Sequence, residues 1–439
     1  AAVSPFYGKL GDMYGRKITL IVAVVLFLAG SLACGAAWSM ESLIGARVLQ
    51  GLGGGGLMVS VFAIIGDLFE PRQRAKYQGY TTAVFALASI LGPVAGGYIT
   101  AFLGWRWIFL VNLPIGLALL AVLAVVMEGK FDGKHHRVDY AGGVLLAIAT
   151  TALVYWADHV LEPVSEGIWS VGLPVIAIVA IGLFTVVERH AAEPIIPLKL
   201  FASRTMSIAV ALSVLNGMTT LGLFFYAALY LQTLTGLSPA DVGFLFVPAS
   251  IASLVTSMLA GNIIGRTGRY KVFPIVGTAL GTVTMLLFFQ LDPQSPYWFI
   301  ALLMALWGAS LGLCIQVLIL AVQTAAPRED IGAATGLVTL GRTVGASLGL
   351  ALNGAVMTWS LGRQQIALPA EIAAKLPKGG LAAASPHDFA ALPTALRSTA
   401  LAFYNQGFTT VFLFVAAVFA TSTVLAILLP RVQLPARQK

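Results

Sequence analysis

The sequence predicts an all-α membrane protein of about a dozen spans. Three observations predict it: a shortage of charge, a series of apolar runs of helical length, and basic residues confined to alternate connections. Of 439 residues, 58% are hydrophobic and only 10% are Asp, Glu, Lys or Arg, against about 25% charged in a soluble domain. So few charges cannot cover a water-facing surface, which excludes a cytosolic enzyme, a secreted domain and a disordered chain.

Crossing a hydrocarbon core of about 30 Å takes roughly 20 apolar helical residues. Runs of that kind fall at 18–38, 42–66, 78–102, 107–127, 139–157, 169–187, 205–231, 242–265, 272–290, 297–324, 333–358 and 407–429. They make twelve complete spans, preceded by a partial one ending near Tyr7. Prolines within them are compatible with membrane helices, where neighbours re-satisfy the freed backbone groups. The opening AAVSPFYGKLGD has neither the basic start nor the apolar body of a signal peptide. It is expected to be the last turns of a helix that begins upstream. The connection 359–406 is expected to be a long outer loop, with its apolar stretch 389–403 lying on the membrane surface.

With residues 8–17 taken as cytoplasmic, alternating the sides places 19 of the 26 basic residues in cytoplasmic connections and 5 outside, leaving Arg47 and Arg342 within spans. That bias sets the orientation and explains the net charge of +8. It also argues against nucleic acid as a partner, because the cations come in scattered threes rather than in one stripe. Cys34 and Cys314 lie far apart in apolar runs and read as small buried residues. His135 and His136 form the one close histidine pair, without the HxxxH or HExxH spacing of a metal site, and no GxxxxGK[ST] for ATP occurs. No metal or cofactor is expected, and an embedded enzyme is a distant alternative.

The chain also echoes itself: GKLGDMYGR (8–16) and GNIIGRTGR (261–269) share Gly8/Gly261, Gly15/Gly268 and Arg16/Arg269 in register. Repeated halves are a mark of secondary transporters, whose binding sites lie between the repeats. Four motifs then appear in order: GKLGDMYGRK (8–17), RVLQGLGGGG (47–56), ILGPVAGG (90–97) and GWRWIFLVNLPIG (104–116). Together they resemble the major facilitator superfamily, and within it the fourteen-helix drug:proton antiporter branch of EmrB/QacA type. The resemblance implies two six-helix halves with two extra central helices. Residues 1–137 would hold the first half, lacking its first helix and most of its second; 138–203 the added helices and a cytoplasmic loop; 204–439 the second half.

Each motif also has its own physical reading. Gly8 and Gly15 permit a tight turn, with Asp12 and Arg16 pairing across it beside Lys17. That reads as a cytoplasmic gate, with plain basic anchoring as the alternative. Gly92, Gly96 and Gly97 allow another backbone to come close, and Pro93 removes a helical hydrogen bond and bends its span, for sealing one side or for packing alone. Arg47, with Gln50 one turn deeper, is a candidate proton-transfer pair, snorkelling being the alternative for an arginine near a helix end. Arg342 lies too deep to snorkel easily and is either paired with a neighbour or faces the pathway. Asn216, Thr219, Leu223, Tyr226 and Tyr230 recur at spacings of three and four, and Gln316 and Gln323 lie seven apart. These are candidates for a substrate cavity, with helix packing as the alternative.

No carboxylate lies deep within a complete span; Asp139 and Asp158, at the ends of 139–157, read as caps. The resemblance implies that the proton-carrying Asp sits in the first helix, upstream of this chain, so a chain lacking it is expected not to transport. The function implied is export of hydrophobic or amphipathic drugs by alternating access, driven by the proton gradient rather than a cofactor. A dedicated metabolite exporter or a symporter of the same fold is the alternative. The resemblance also implies a bacterial cytoplasmic (inner) membrane and allows a periplasmic adaptor and an outer-membrane channel as partners.

Overall fold

A computed structural model describes residues 3–127, 138–159, 168–236, 239–292, 294–377 and 379–431. Helices α1 (Ser4–Tyr14), α2 (Arg16–Gly35), α3 (Met40–Leu68), α4 (Pro71–Leu103), α5 (Trp107–Leu110) and α6 (Asn112–Val126) form an N-terminal half. Two further helices follow, α7 (Tyr140–His159) and α8 (Ile168–His190). The C-terminal half runs through α9 (Arg204–Met218), α10 (Leu221–Thr235), α11 (Pro239–Leu245), α12 (Val247–Thr267), α13 (Val272–Phe288), α14 (Tyr297–Ala325) and α15 (Ile331–Ala367). It ends with α16 (Ala370–Ala373), α17 (Pro386–Ala391) and α18 (Thr394–Leu428).

Ten helical segments among the described residues are long and apolar enough to cross a membrane, against the twelve expected. Of the other two, α13 has 17 residues, short of the roughly 20 a full crossing takes. Helix α4 has 33 residues, but the side chains of residues 86, 89, 90, 93 and 94 lie outside the described residues, so it does not enter that count. The apolar side chains that remain exposed, such as Val125 at 86% and Val84 at 67%, suit a surface turned to lipid.

Backbone contact, which only glycine permits, holds the helix pairs. A Cβ at Gly30 would overlap the backbone of Gln50, and one at Gly53 the backbone of Phe27, so α2 and α3 pack with no side chain between them. In the C-terminal half an aromatic stack does the equivalent work: Tyr230, Phe288, Phe408 and Phe412 are all at most 1% exposed, with ring centroids 5.1–6.0 Å apart. Such pairs add roughly 0.5–1.5 kcal/mol each beyond their burial.

Three local expectations are corrected. Residues 8–14 are helical, not loop, so α1 and α2 are joined by Gly15 alone at φ +90°. The run 205–231 breaks at Thr219 and Thr220, whose hydroxyls both donate back to the Asn216 carbonyl, at 3.0 and 2.7 Å. That competition with the backbone favours ending a helix. The outer connection is shorter than 359–406, because α15 continues to Ala367 and α18 starts at Thr394. Its apolar stretch does not lie on the membrane surface: Phe389, Leu392, Ala400 and Leu401 are buried in the core of the C-terminal half.

Candidate functional site

The two halves meet at the end of the bundle that carries the basic connections. Here α1 lies on the start of α15: a Cβ at Gly8 would overlap the Gly332 carbonyl, and one at Gly336 would come within 2.6 Å of Pro5 Cα. Asp12 then reaches the first turn of α15, its Oδ1 accepting from Gly332 N and its Oδ2 from Ala333 N, both at 3.0 Å. These are orphan donors at the positive end of a helix dipole, where a carboxylate is favoured. Arg16 closes the cluster by pairing with Asp12 and donating from Nε to Asp67 Oδ2 at 2.6 Å. Burial pushes the Asp12 carboxyl up to about 6, although Arg16 and the two backbone N–H groups pull the other way.

The predicted pairing of Asp12 with Arg16 is therefore present. Gly15 makes the turn at positive φ, while Gly8 instead permits close approach between the halves. Lys17 is not part of the contact between halves; it donates to the Ala124 and Met127 carbonyls at the end of α6. Asp67 went unrecognised in the sequence, although it is an acid at the end of a span among basic neighbours. The N–H groups of Gly332 and Ala333 carry no sequence signal at all.

The internal echo is geometric as well. Gly268 turns with φ +69° where Gly15 has +90°. A Cβ at Gly261 would lie 2.5 Å from the Ala75 carbonyl on α4, as one at Gly8 would overlap α15. Along this second seam Gln78 Nε2 donates to Gln323 Oε1 at 2.9 Å, Gln323 Nε2 donates to the Phe62 carbonyl at 2.9 Å, and Gln316 donates to Thr82. Gln316 and Gln323 thus join the halves across this seam, Gln316 beside a small void that it shares with Gln78 and Ser257. The position of Asp12 is held in the second repeat by Gly265, so the carboxylate latch exists on one side only.

Beyond these seams a cavity of about 360 Å³ opens between the halves, with Arg47, Gln50, Gly51 and Gly54 of α3 on one wall and Thr339, Arg342 and Thr343 of α15 on the other. Arg47 donates to Gln50 Oε1 and stands 5.7 Å from the Phe109 ring centroid. Gln50 Nε2 in turn donates to Ser31 Oγ at 2.7 Å. The fold has brought both span arginines to one space, from positions 295 residues apart in the chain.

Of the other cavity candidates, Asn216 alone comes near: it shares a small void with Arg342. Tyr230 is fully buried in the aromatic core, its hydroxyl donating to Asn405 Oδ1 at 2.6 Å. Tyr226, Leu223 and Thr219 are 6%, 1% and 1% exposed within the same half. The packing alternative holds for these four, because a spacing of three and four marks one face without saying whether that face meets a cavity or a core. A Cβ at Gly92, Gly96 or Gly97 would meet no other described atom within 4 Å, so no described backbone approaches there. The side chain of Pro93 lies outside the described residues, as do His135, His136 and the side chain of Asp158. Asp139 does cap α7, accepting from Gly142 N at 2.8 Å.

Two helical halves that meet through a pseudo-symmetric pair of seams, with a cavity between them, share the repeat architecture of secondary transporters. A family model described as the Major Facilitator Superfamily matches residues 1–350, and the chain belongs to that family. An uncharacterized MFS-type transporter of Mycobacterium tuberculosis is 37% identical over 430 residues, covering 97% of this chain and 62% of the relative. The multidrug transporter protein MdtP of Bacillus subtilis is 32% identical over 356 residues, covering 81% of this chain and 66% of the relative. The chain thus spans about two thirds or less of the length of these relatives. The solved structure of the human organic anion transporter MFSD10 superposes with a TM-score of 0.62 at 13% identity, covering 97% of this chain and 80% of that one. At that identity the likeness concerns the fold alone.

Proposed function

We propose that the protein is a secondary active exporter of hydrophobic or amphipathic compounds, of the fourteen-helix drug:proton antiporter branch, in the inner membrane of a bacterium. One observation carries the reading: the halves are sealed at the basic end by contacts between them, while the cavity holding both span arginines lies beyond the seal. With the basic end in the cytoplasm, this is the outward-open member of an alternating-access pair. The seams at α1/α15 and α4/α12 break when the halves rock. Substrate and proton move the equilibrium only through their different affinities for the two states. The bacterial relative named as a multidrug transporter supports the same reading. Arg47 and Gln50 serve as the polar pair that a proton-carrying group meets within the cavity.

The test is transport by the full-length protein in liposomes, with a pH gradient imposed and a chemically diverse drug panel. Gradient-dependent movement of several unrelated compounds is the expected result. Movement of a single metabolite would favour the dedicated carrier, and no movement at any gradient would refute export by antiport.

A further inference from the structure

The two central helices bring a pair of acids together outside the transport cavity. Asp139 caps the start of α7, and Glu188 lies in the last turn of α8. A Cβ at Gly142 would overlap Asp139 Oδ2 and lie 3.2 Å from Glu188 Oε1, so the carboxyls stand within about 6 Å of each other. One oxygen of each is engaged by the backbone. Asp139 Oδ1 accepts from Gly142 N at 2.8 Å, and Glu188 Oε1 accepts from Ile195 N and Ile196 N at 3.1 and 3.3 Å. The remaining oxygens, Asp139 Oδ2 and Glu188 Oε2, are buried with no partner among the described residues, and Glu188 is only 4% exposed. A cleft of about 630 Å³ at the basic end of the bundle reaches Glu188 and also borders Lys9 and Asp12 of α1 and Asp330 just before α15. The cations around that cleft are engaged with other acids or turned outward. Lys9 stands 4.0 Å from Asp330, and Lys199 lies 3.0 Å from Asp330 and 3.4 Å from Glu329. Arg189 is exposed and, as the next residue in the helix, does not share a face with Glu188. Glu193 adds a further acid to the same lining.

We propose that Asp139 and Glu188 form a proton-binding site, one carboxyl donating its O–H to an oxygen of the other, and that this proton holds the connection after α8 in place. Two carboxyls this close in a poorly hydrated site do not both ionise readily, and such a pair titrates as a unit. A divalent cation is the poorer fit. It takes about six oxygen ligands, whereas two of the four oxygens here already accept N–H groups, and no third acid, histidine or cysteine joins the pair among the described residues. The proton matters beyond the pair because Glu188 fixes the residues that follow it. Ile195 and Ile196, 1% and 4% exposed, are held by Glu188 Oε1 and pack with Leu146 of α7, Leu337 and Leu340 of α15 and Phe6 of α1. Losing the proton puts a second negative charge beside these contacts, and the connection 191–197 loosens. The inference goes beyond export and does not depend on it: it gives α7 and α8 a proton site of their own, apart from any proton that drives transport.

Infrared spectroscopy of the protein in lipid nanodiscs reads the site directly, because a protonated carboxyl has a carbonyl band that a carboxylate lacks. At neutral pH a band is expected that disappears in Glu188→Gln and survives in Asp12→Asn. In Asp139→Asn the band should be lost at a pH about one unit lower than in the wild type, the effect of removing a like charge at this distance. Amide hydrogen exchange at Ile195 and Ile196, corrected for its intrinsic pH dependence, should quicken as the wild-type band is lost and become independent of pH in Glu188→Gln. A wild-type spectrum without the band, or a band that survives Glu188→Gln, overturns the site. An unchanged titration in Asp139→Asn overturns the sharing of the proton, and exchange that does not follow the band overturns its hold on the connection. A sodium- or potassium-dependent gain in melting temperature in place of the band would put a metal cation there and overturn the proton. If Glu188→Gln does not fold, the wild-type and Asp139→Asn titrations decide.

Discussion

Removing the Asp12 carboxylate should open the sealed end. Asp12 accepts one hydrogen bond from each of two backbone N–H groups on α15, at 3.0 Å, and its side chain is only 3% exposed. Asp12→Ala leaves both donors without their partner in a region that water reaches poorly, at a cost of roughly 1–2 kcal/mol each. Arg16 keeps Asp67, so the variant does not strand a buried cation. These bonds join the two halves and exist only while the halves are closed at this end. The loss of about 2–4 kcal/mol therefore falls on the balance between states rather than on folding, a factor of roughly 30 to 1,000 in the population ratio. Spin labels at the exposed positions Leu68 and Arg328, one on each half, read that ratio as a distance distribution. The variant should gain a longer-distance population at the expense of the shorter one. An unchanged distribution, or a fall in melting temperature without a change in distance, would refute the reasoning.

Three further predictions follow from the same geometry. Because burial holds the Asp12 carboxyl at about 6, above the ordinary carboxylate value of 3.8, the closed state binds this proton more readily than a state with Asp12 in water. Its extra stability is present below about pH 4 and is lost as pH rises through about 6; the label distances should lengthen over that window and become pH-independent in Asp12→Asn. Gly261→Val, which drives a branched side chain into the Ala75 carbonyl, should shift the same distances outward by overpacking worth about 1–3 kcal/mol, and an unaltered distribution would show that this seam does not hold the halves. Tyr230→Phe should lower C-terminal-half stability by roughly 1–3 kcal/mol through the unpartnered Asn405 oxygen and leave substrate affinity untouched, with a changed affinity placing Tyr230 at the cavity after all.

Much of the fold was legible because a membrane simplifies the problem. Apolar runs of helical length and the placement of cations locate the helices, but not all their ends: α4, α15 and α18 extend past their apolar runs, α18 starting at Thr394 rather than at 407. The apolar run at 389–403 was misread because hydrophobicity alone does not distinguish a surface facing lipid from one facing protein. The same limit misplaced Tyr226 and Tyr230. The glutamines failed differently: Gln316 and Gln323 are polar because they hydrogen-bond across the seam to α4 and α3, a need visible only once those helices are in place. For the gate, Asp12, Gly15 and Arg16 were readable from spacing within nine residues, whereas Asp67 and the α15 amides come from 51 and 320 positions away.

By itself, the sequence determined the solvent, the helical class, the two-fold echo and the scarcity of buried charge, because each follows from composition or from local order along the chain. Only the tertiary structure decided which groups face one another. It set Gly8 against Gly332 and Gly261 against Ala75, turned the tyrosines into a core, and brought Arg47 and Arg342 to opposite walls of one cavity. The two arginines that an otherwise charge-poor chain keeps inside its spans thus occupy a single site. Which residues share a site depends on how the helices cross, and helix crossing is set by side-chain contacts between segments hundreds of residues apart.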